Sequence, residues 1–267
     1  DRHSLLVIMA KKENRKRIEI LALPGIPEVA EGDNIGDLIT DAIERDALGF
    51  CEGDIYVVTQ KIVSKSEGMT VPLASVVPCS EAFSISLKTG KDPRLVQLIL
   101  NQSKGIVRLD EERGVLIMET HHGFICANAG IDASNVPGED TVTLLPRDSD
   151  ASAKEIHQRL SGVIPVNHFS VVISDTFGRP WREGHLNFAV GSYGIAPIND
   201  YRDTIDAVGK PLNVTMVATV DIVAAAADLV SGKATNTPVS IIRGLDYESS
   251  PLGINQLIRD REKDLFR

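Results

Sequence analysis

Aromatic side chains are scarce in this chain, at 4% of 267 residues, and net charge is −9. Nucleic-acid binders depend on basic stripes and stacking rings. No nucleic-acid partner is therefore expected, although local basic clusters can still hold one phosphorylated small molecule. Cysteine is also rare: Cys51, Cys79 and Cys126 lie far apart and form no C-x-x-C pair. That spacing argues against a zinc site or a disulfide framework and fits a reducing cytoplasm. Each cysteine is expected to be a small buried residue. No apolar run approaches the length of a membrane span, so no membrane partner is expected. The basic cluster Lys11–Arg17 follows the apolar run Leu5–Ala10 rather than preceding it, the wrong order for a secretory signal. Residues 1–16 read as a flexible tail and 17–267 as one catalytic domain.

Several catalytic signatures are missing as well. Gly90-Lys91, Gly209-Lys210 and Gly232-Lys233 lack the upstream glycine of a phosphate-binding P-loop. There is no G-x-S-x-G elbow and no H-E-x-x-H. His121-His122 is a weak metal candidate, because neighbours on a strand point to opposite faces.

What is present is a mixture of strands and helices. Arg17–Leu23 alternates like a strand, stopped by Pro24-Gly-Ile-Pro27. Asp33 and Asn34 are N-cap types before an apolar helical face of Ile35, Leu38, Ile39, Ala42 and Ile43. Ile55–Val58 reads as a strand, and Lys61 and Lys65 follow it four residues apart. They are either a solvated helical turn or a pair of ammonium groups for phosphates. Ser80–Leu87 fits either strand or helix. Asp92-Pro93 caps a helix through Leu100. Ile106–Leu109, Val115–Glu119 and Phe124–Ala127 read as successive strands. Ala151–Leu160 and Asp221–Val230 read as helices, Leu212–Val220 as a strand, and Ile254–Lys263 as a charged terminal helix. Strict β-α-β alternation is absent, which favours α+β with mixed or antiparallel sheets and flanking helices.

Two segments carry the chemistry. His168–Ile173 reads as a buried strand ending in Asp175 and Thr176, after which Gly178 and Pro180 break the chain among Arg179, Trp181 and Arg182. Phe124–Ala127 runs into Asn128-Ala-Gly-Ile-Asp-Ala-Ser-Asn135, a second strand end with a carboxylate, Asp132, among small residues. Either could be an ordinary polar turn. Together, two carboxylates and a hydroxyl suggest Mg²⁺ or Mn²⁺ rather than zinc. Lys61, Lys65, Arg179, Arg182, Lys233 and Arg243 add cations near glycines and strand ends, as a nucleoside triphosphate requires. The residues alone support a divalent-metal, phosphate-handling enzyme.

The segments Asn128–Asn135 and Ser174–Arg182 resemble the coenzyme F420:L-glutamate ligase (F420-0 γ-glutamyl ligase) family. Pro24-Gly-Ile-Pro27, Gln60–Gly68, Asp200-Tyr-Arg202 and Pro238–Gly244 extend the resemblance in order along most of the chain. The resemblance implies GTP-dependent amide formation between the precursor F420-0 and L-glutamate through an acyl phosphate. It also implies an intertwined homodimer with the fold of that family. By position, Asp132, Asp175 and Thr176 would hold two divalent ions, with room for K⁺. Arg179 and Arg182 would join Asp132 and Asp175 in catalysis. Ile26, Pro27, Glu28, Val29, Gln60, Lys61, Lys65, Asn135, Ser231, Gly232 and Lys233 would contact GTP. The chain departs from the family pattern at Asp203, where relatives tend to carry glycine, and at Ile222, where many carry glutamate. Those departures leave open a relative that ligates an amino acid to a different phosphorylated acid. A metal-dependent nucleotide phosphohydrolase and a non-catalytic nucleotide-binding regulator are further alternatives.

Overall fold

A computed structural model describes residues 16–133, 138, 140–232 and 236–266 of the chain. The expected tail at 1–16 lies almost wholly outside the described residues.

The centre is a five-stranded sheet in the order β1 (Glu19–Leu23), β14 (Val239–Arg243), β2 (Asp54–Thr59), β8 (Phe169–Arg179), β9 (Arg182–Tyr193). Only β2 and β8 run parallel, with Thr59 beside Ser174. The other pairings are antiparallel. Ile55, Tyr56, Val58, Val171, Val172, Ile173 and Ile241 are fully buried. Such near-continuous burial is what strands covered on both faces require.

Helix α5 (Ser149–Ser161) covers one face, where His157 stacks on Phe169 with ring centroids 4.2 Å apart. Helix α6 (Thr219–Ser231) covers the other, where Ser231 Oγ lies 2.9 Å from Ser240 Oγ of β14. Helix α1 (Ile35–Arg45) packs beside α5. Asn34 caps α1, its Oδ1 accepting the Asp37 N–H at 3.2 Å. Arg45, in the last turn, donates to the carbonyls of Pro24 (2.6 Å) and Gly25 (3.0 Å). Gly25 has φ +75°, and a Cβ there would strike the Arg45 guanidinium, so the turn after β1 needs glycine.

The chain between β2 and β8 builds a second, smaller core. Short helix α2 (Gln60–Ser66) leads into strand β3 (Thr70–Pro72), which pairs with β7 (Thr141–Thr143). Helices α3 (Ser80–Thr89) and α4 (Pro93–Asn101) cover a sheet of β4 (Ser103–Asp110), β5 (Val115–Thr120) and β6 (Ile125–Ala127). Ala82, Val96, Ile99, Leu116 and Met118 close this core. The ambiguous stretch from Ser80 is thus helical, ended by Gly90 in the left-handed conformation. These helices cover the inner side of the strand-rich middle. The outer side still leaves Ile106, Val115 and Ile125 about 40% exposed.

After β9 the chain makes two small hairpins, β10 (Ile198–Asp200) with β13 (Met216–Ala218) and β11 (Thr204–Ile205) with β12 (Pro211–Leu212). The strand expected over Leu212–Val220 is therefore two short pieces, and α6 begins earlier, at Thr219. The expected terminal helix is instead two 3₁₀ turns, Ile254–Leu257 and Arg261–Lys263. Asp150 of α5 captures the Ile254 N–H at 3.1 Å, and beyond Ile258 no apolar residue recurs until Leu265. A short helix without a buried stripe has little to sustain it. Of the cysteines, Cys126 is buried as expected, Cys51 is half-buried and Cys79 is exposed.

Candidate active site

The candidate site forms where β2 ends at Thr59, beside Ser174 of the longer strand β8. Strand β2 stops at Thr59 and turns directly into α2, bringing Lys61 to this edge. The Lys61 Nζ lies 2.8 Å from Asp132 Oδ2. Asp132 is fixed through its backbone, which exchanges two hydrogen bonds with Thr143 (3.0 and 2.8 Å). It is delivered by an unusual turn: Asn128, Ala129 and Gly130 have φ of 52°, 55° and 73°. Two consecutive non-glycine residues in the left-handed region are costly, and such strain is concentrated at functional sites. Gly130 is needed in that turn, since a Cβ would lie 2.8 Å from Leu145 Cδ1.

Asp175 approaches from β8. Its Oδ1 accepts the Thr176 N–H at 2.8 Å. The buried Cys126 of β6 lies close enough to feel it: burial first, and then the Asp175 charge, push the thiol up to about 12. Cys126 is thus an inert neighbour rather than a nucleophile. The strand does not end at Asp175 and Thr176, as the sequence suggests. It continues to Arg179 and pairs with β9 throughout. Asp175 and Thr176 therefore project to opposite faces. Asp175 stands across from Phe188, while Thr176 Oγ1 donates to Asn187 Oδ1 at 2.7 Å.

The face of Thr176 also receives α6. Asp221, in its first turn, accepts the Ala189 N–H at 3.0 Å. Burial raises its carboxyl above the ordinary aspartate value, partly offset by that hydrogen bond. Its sequence neighbour Ile222 is 57% exposed.

The residues expected to contact GTP divide into groups. Ile26 and Val29 are buried core residues, whereas Pro27 and Glu28 between them are exposed. Lys65, only 10% exposed, is ion-paired with Glu28. It is not on a solvated face. Gln60 is buried, with its Oε1 accepting from Ser64 at 2.8 Å. Ser231 is buried against Ala227 and Ser240, and Gly232 is exposed. Asn135 and Lys233 lie outside the described residues.

Arg179 and Arg182 pair across the end of the β8–β9 hairpin. They lie four residues, or about 13 Å of strand, beyond Asp175. Arg179 donates to the Glu183 carbonyl at 2.8 Å. Trp181 at the tip is 78% exposed and meets the Phe266 ring edge-on at 4.9 Å. Arg243 does not belong to the site at all. It grips Asp54 at the opposite end of β2, about 17 Å of strand from Thr59. Its expected place among the phosphate-facing cations is corrected: a buried carboxylate claims it.

Sequence reasoning passed over Asn187, which orients Thr176. Its only signal was the position opposite Thr176 in a hairpin whose turn looks like a chain break. Among the described residues no three His, Cys, Asp or Glu side chains gather into a metal cluster. The donor chemistry still suits hard cations. Asp132 and Asp175 offer carboxylates, and an ammonium already sits at one of them as a cation. Thr176, having given its proton to Asn187, offers oxygen lone pairs.

Residues 25–244 match the family described as F420-0:Gamma-glutamyl ligase. The chain is 43% identical over 253 residues to the coenzyme F420:L-glutamate ligase of Methanothermobacter thermautotrophicus, covering 94% of this chain and 99% of that protein. It is 38% identical to the protein of that name from Methanopyrus kandleri, covering 94% and 98%. It is 36% identical to that from Methanocaldococcus jannaschii, covering 96% and 99%. With the match spanning both cores and both carboxylate-bearing segments, this chain belongs to the F420-0:gamma-glutamyl ligase family.

Proposed function

We propose that this chain joins L-glutamate by an amide bond to the carboxylate of the deazaflavin precursor F420-0, consuming GTP with the help of divalent metal. The observation that carries this reading is the Lys61–Asp132 ion pair just past the end of β2, with Asp175 following the residue of β8 that pairs with Thr59, in a chain of this family.

In the first step the acceptor carboxylate attacks the γ-phosphorus. A new C–O–P bond forms, the bond to the bridging oxygen breaks, and GDP leaves. In the second step the glutamate amine attacks the acyl carbon, and phosphate departs with the amine's proton. Both partners of the first step are anions, so their repulsion must be offset. Mg²⁺ or Mn²⁺ held by Asp132 and Asp175, with a second ion at Thr176, would supply that neutralisation. Lys61 and Lys65 contribute two ammonium groups beside it. Pro27, Glu28 and the segment around Gly232 frame the nucleotide. Arg179 and Arg182 stand at the end of the hairpin, about 13 Å of strand beyond Asp175. Their role is assigned to the acceptor's own phosphate.

The working unit is proposed to be a cytoplasmic homodimer. The outward faces of Ile106, Val115 and Ile125, and the hairpin tip at Trp181, are apolar surfaces that a second copy can cover. No helix among the described residues is long and apolar enough to cross a membrane.

The test is incubation with GTP, Mn²⁺, F420-0 and glutamate, followed by mass spectrometry of the product. Glutamate-dependent GDP release with a product one glutamyl unit heavier supports the reading. Glutamate-independent phosphate release identifies a phosphohydrolase instead. Bound GTP without turnover identifies a regulator.

A further inference from the structure

Lys61 and Asp132 belong to different parts of the fold. Lys61 adjoins Ile62 of the large core, whereas Asp132 adjoins Ile131 of the small one. Their ion pair, at 2.8 Å with side chains 20% and 38% exposed, therefore ties the two cores together across the site. It also joins two groups with different customers. Asp132 is a hard oxygen ligand suited to a divalent cation, and Lys61 is a compact ammonium suited to a phosphate. While they hold each other, each occupies the other's binding capacity.

We propose that Lys61 and Asp132 form an exchangeable ion pair that makes metal and nucleotide binding mutually dependent. The proposal rests on the metal and phosphate roles assigned above. A divalent ion arriving at Asp132 takes over the carboxylate and repels the ammonium, which is then available to a phosphate. A triphosphate arriving first draws Lys61 away and leaves the Asp132 carboxylate without that ammonium, beside a polyanion. That arrangement is unfavourable until a cation fills it. Each ligand thus removes the cost of binding the other, and linkage makes the effect reciprocal. Lys65 is also ion-paired, with Glu28 on the loop after β1.

This exchange has an unusual signature: removing either partner strengthens one ligand in the absence of the other. Mn²⁺ binding to nucleotide-free protein is read from the loss of the aqueous Mn²⁺ electron-paramagnetic-resonance signal. Lys61→Gln is expected to bind Mn²⁺ about fivefold or more tightly than the unsubstituted protein. A lysine that only contacts phosphate leaves this affinity unchanged, and one that only props the site open weakens it; either result overturns the proposal. The second arm is GTP binding in EDTA by equilibrium dialysis. Asp132→Asn is expected to bind metal-free GTP several-fold more tightly, because Lys61 is released and a negative charge is gone. Unchanged or weaker GTP binding overturns the proposal. The arms use different variants, so misfolding of one leaves the other decisive. Turnover of the unsubstituted protein with F420-0 and glutamate judges the ligase reading separately.

Discussion

Arg243 closes a two-pronged ion pair on Asp54, Nε to Oδ1 and Nη2 to Oδ2, both at 2.8 Å. Asp54 is fully buried and also accepts the Cys51 N–H at 3.0 Å. Removing one member of such a pair strands the other's charge, typically costing about 3–5 kcal/mol. Asp54→Ala is expected to lower the free energy of unfolding by about that amount, read as a lower urea midpoint, while the remaining folded protein keeps its substrate KM values. Little change in the midpoint would show that the pair contributes nothing net.

Asp175→Asn is expected to abolish ligation and weaken Mn²⁺ binding, because a neutral amide is a poorer ligand than a carboxylate. The fold should survive, since Asp175 is only half-buried. Circular dichroism and Mn²⁺ titration on the same preparation check it. Near-normal turnover would remove Asp175 from the metal site.

Lys65 offers a sharper nucleotide test. Loss of one charge-assisted phosphate contact is worth about tenfold to a hundredfold in affinity. Lys65→Ala should raise the KM for GTP by that factor and leave the KM for glutamate nearly unchanged. Equal rises in both constants would return Lys65 to a structural role as the partner of Glu28.

His157 makes stability depend on pH. Burial against Phe169 and Tyr193 lowers its basicity below the ordinary 6.5, against the opposing effect of its contact with the Phe169 carbonyl. The unfolded chain therefore takes up this proton more readily than the folded one. The contribution is complete above about pH 6.5 and is lost as pH falls through the lower folded value. Urea midpoints of the unsubstituted protein and His157→Gln should converge as pH drops from 8 to 5. Parallel midpoints would contradict this.

For the proposed homodimer, light scattering at low micromolar concentration is expected to give twice the 28.9 kDa chain mass. An interface of well over ~1,600 Å² is expected for an obligate pair. The tryptophan at the hairpin tip offers a second readout, since pairing that covers Trp181 shifts its emission to the blue. A fully active monomer would defeat the proposed assembly.

The parts of this molecule written in local signals were legible. Asn34 with the spacing of Ile35, Ile39, Ala42 and Ile43 marked α1, and Asp92-Pro93 marked the start of α4. Small residues and hydroxyls mark the segments that carry Asp132 and Asp175, and Lys61 follows directly on a strand as its position after Ile55–Val58 suggests. What depended on distant partners was not legible. Gly178 and Pro180 look like chain breakers, but β9 supplies the hydrogen bonds that carry β8 through Gly178. Arg243 looked like a phosphate cation because Asp54, its partner, is remote in sequence. Lys65 gave no sign that Glu28 would bury it.

The pairing of β1 with β14 carries a consequence for how the chain is made. Leu23 hydrogen-bonds beside Val239, and β14 in turn is the link between β1 and β2. During synthesis the first strand therefore has no strand beside it until β14, about 215 residues later, has been made. The smaller core, whose sheet β4-β5-β6 is sequential and joined by short turns, can assemble long before that. Losing even a modest stretch from the C-terminal side would leave two strand edges unpaired and an early-folded lobe without the sheet it serves. A C-terminally shortened chain is thus a candidate for aggregation rather than for reduced activity.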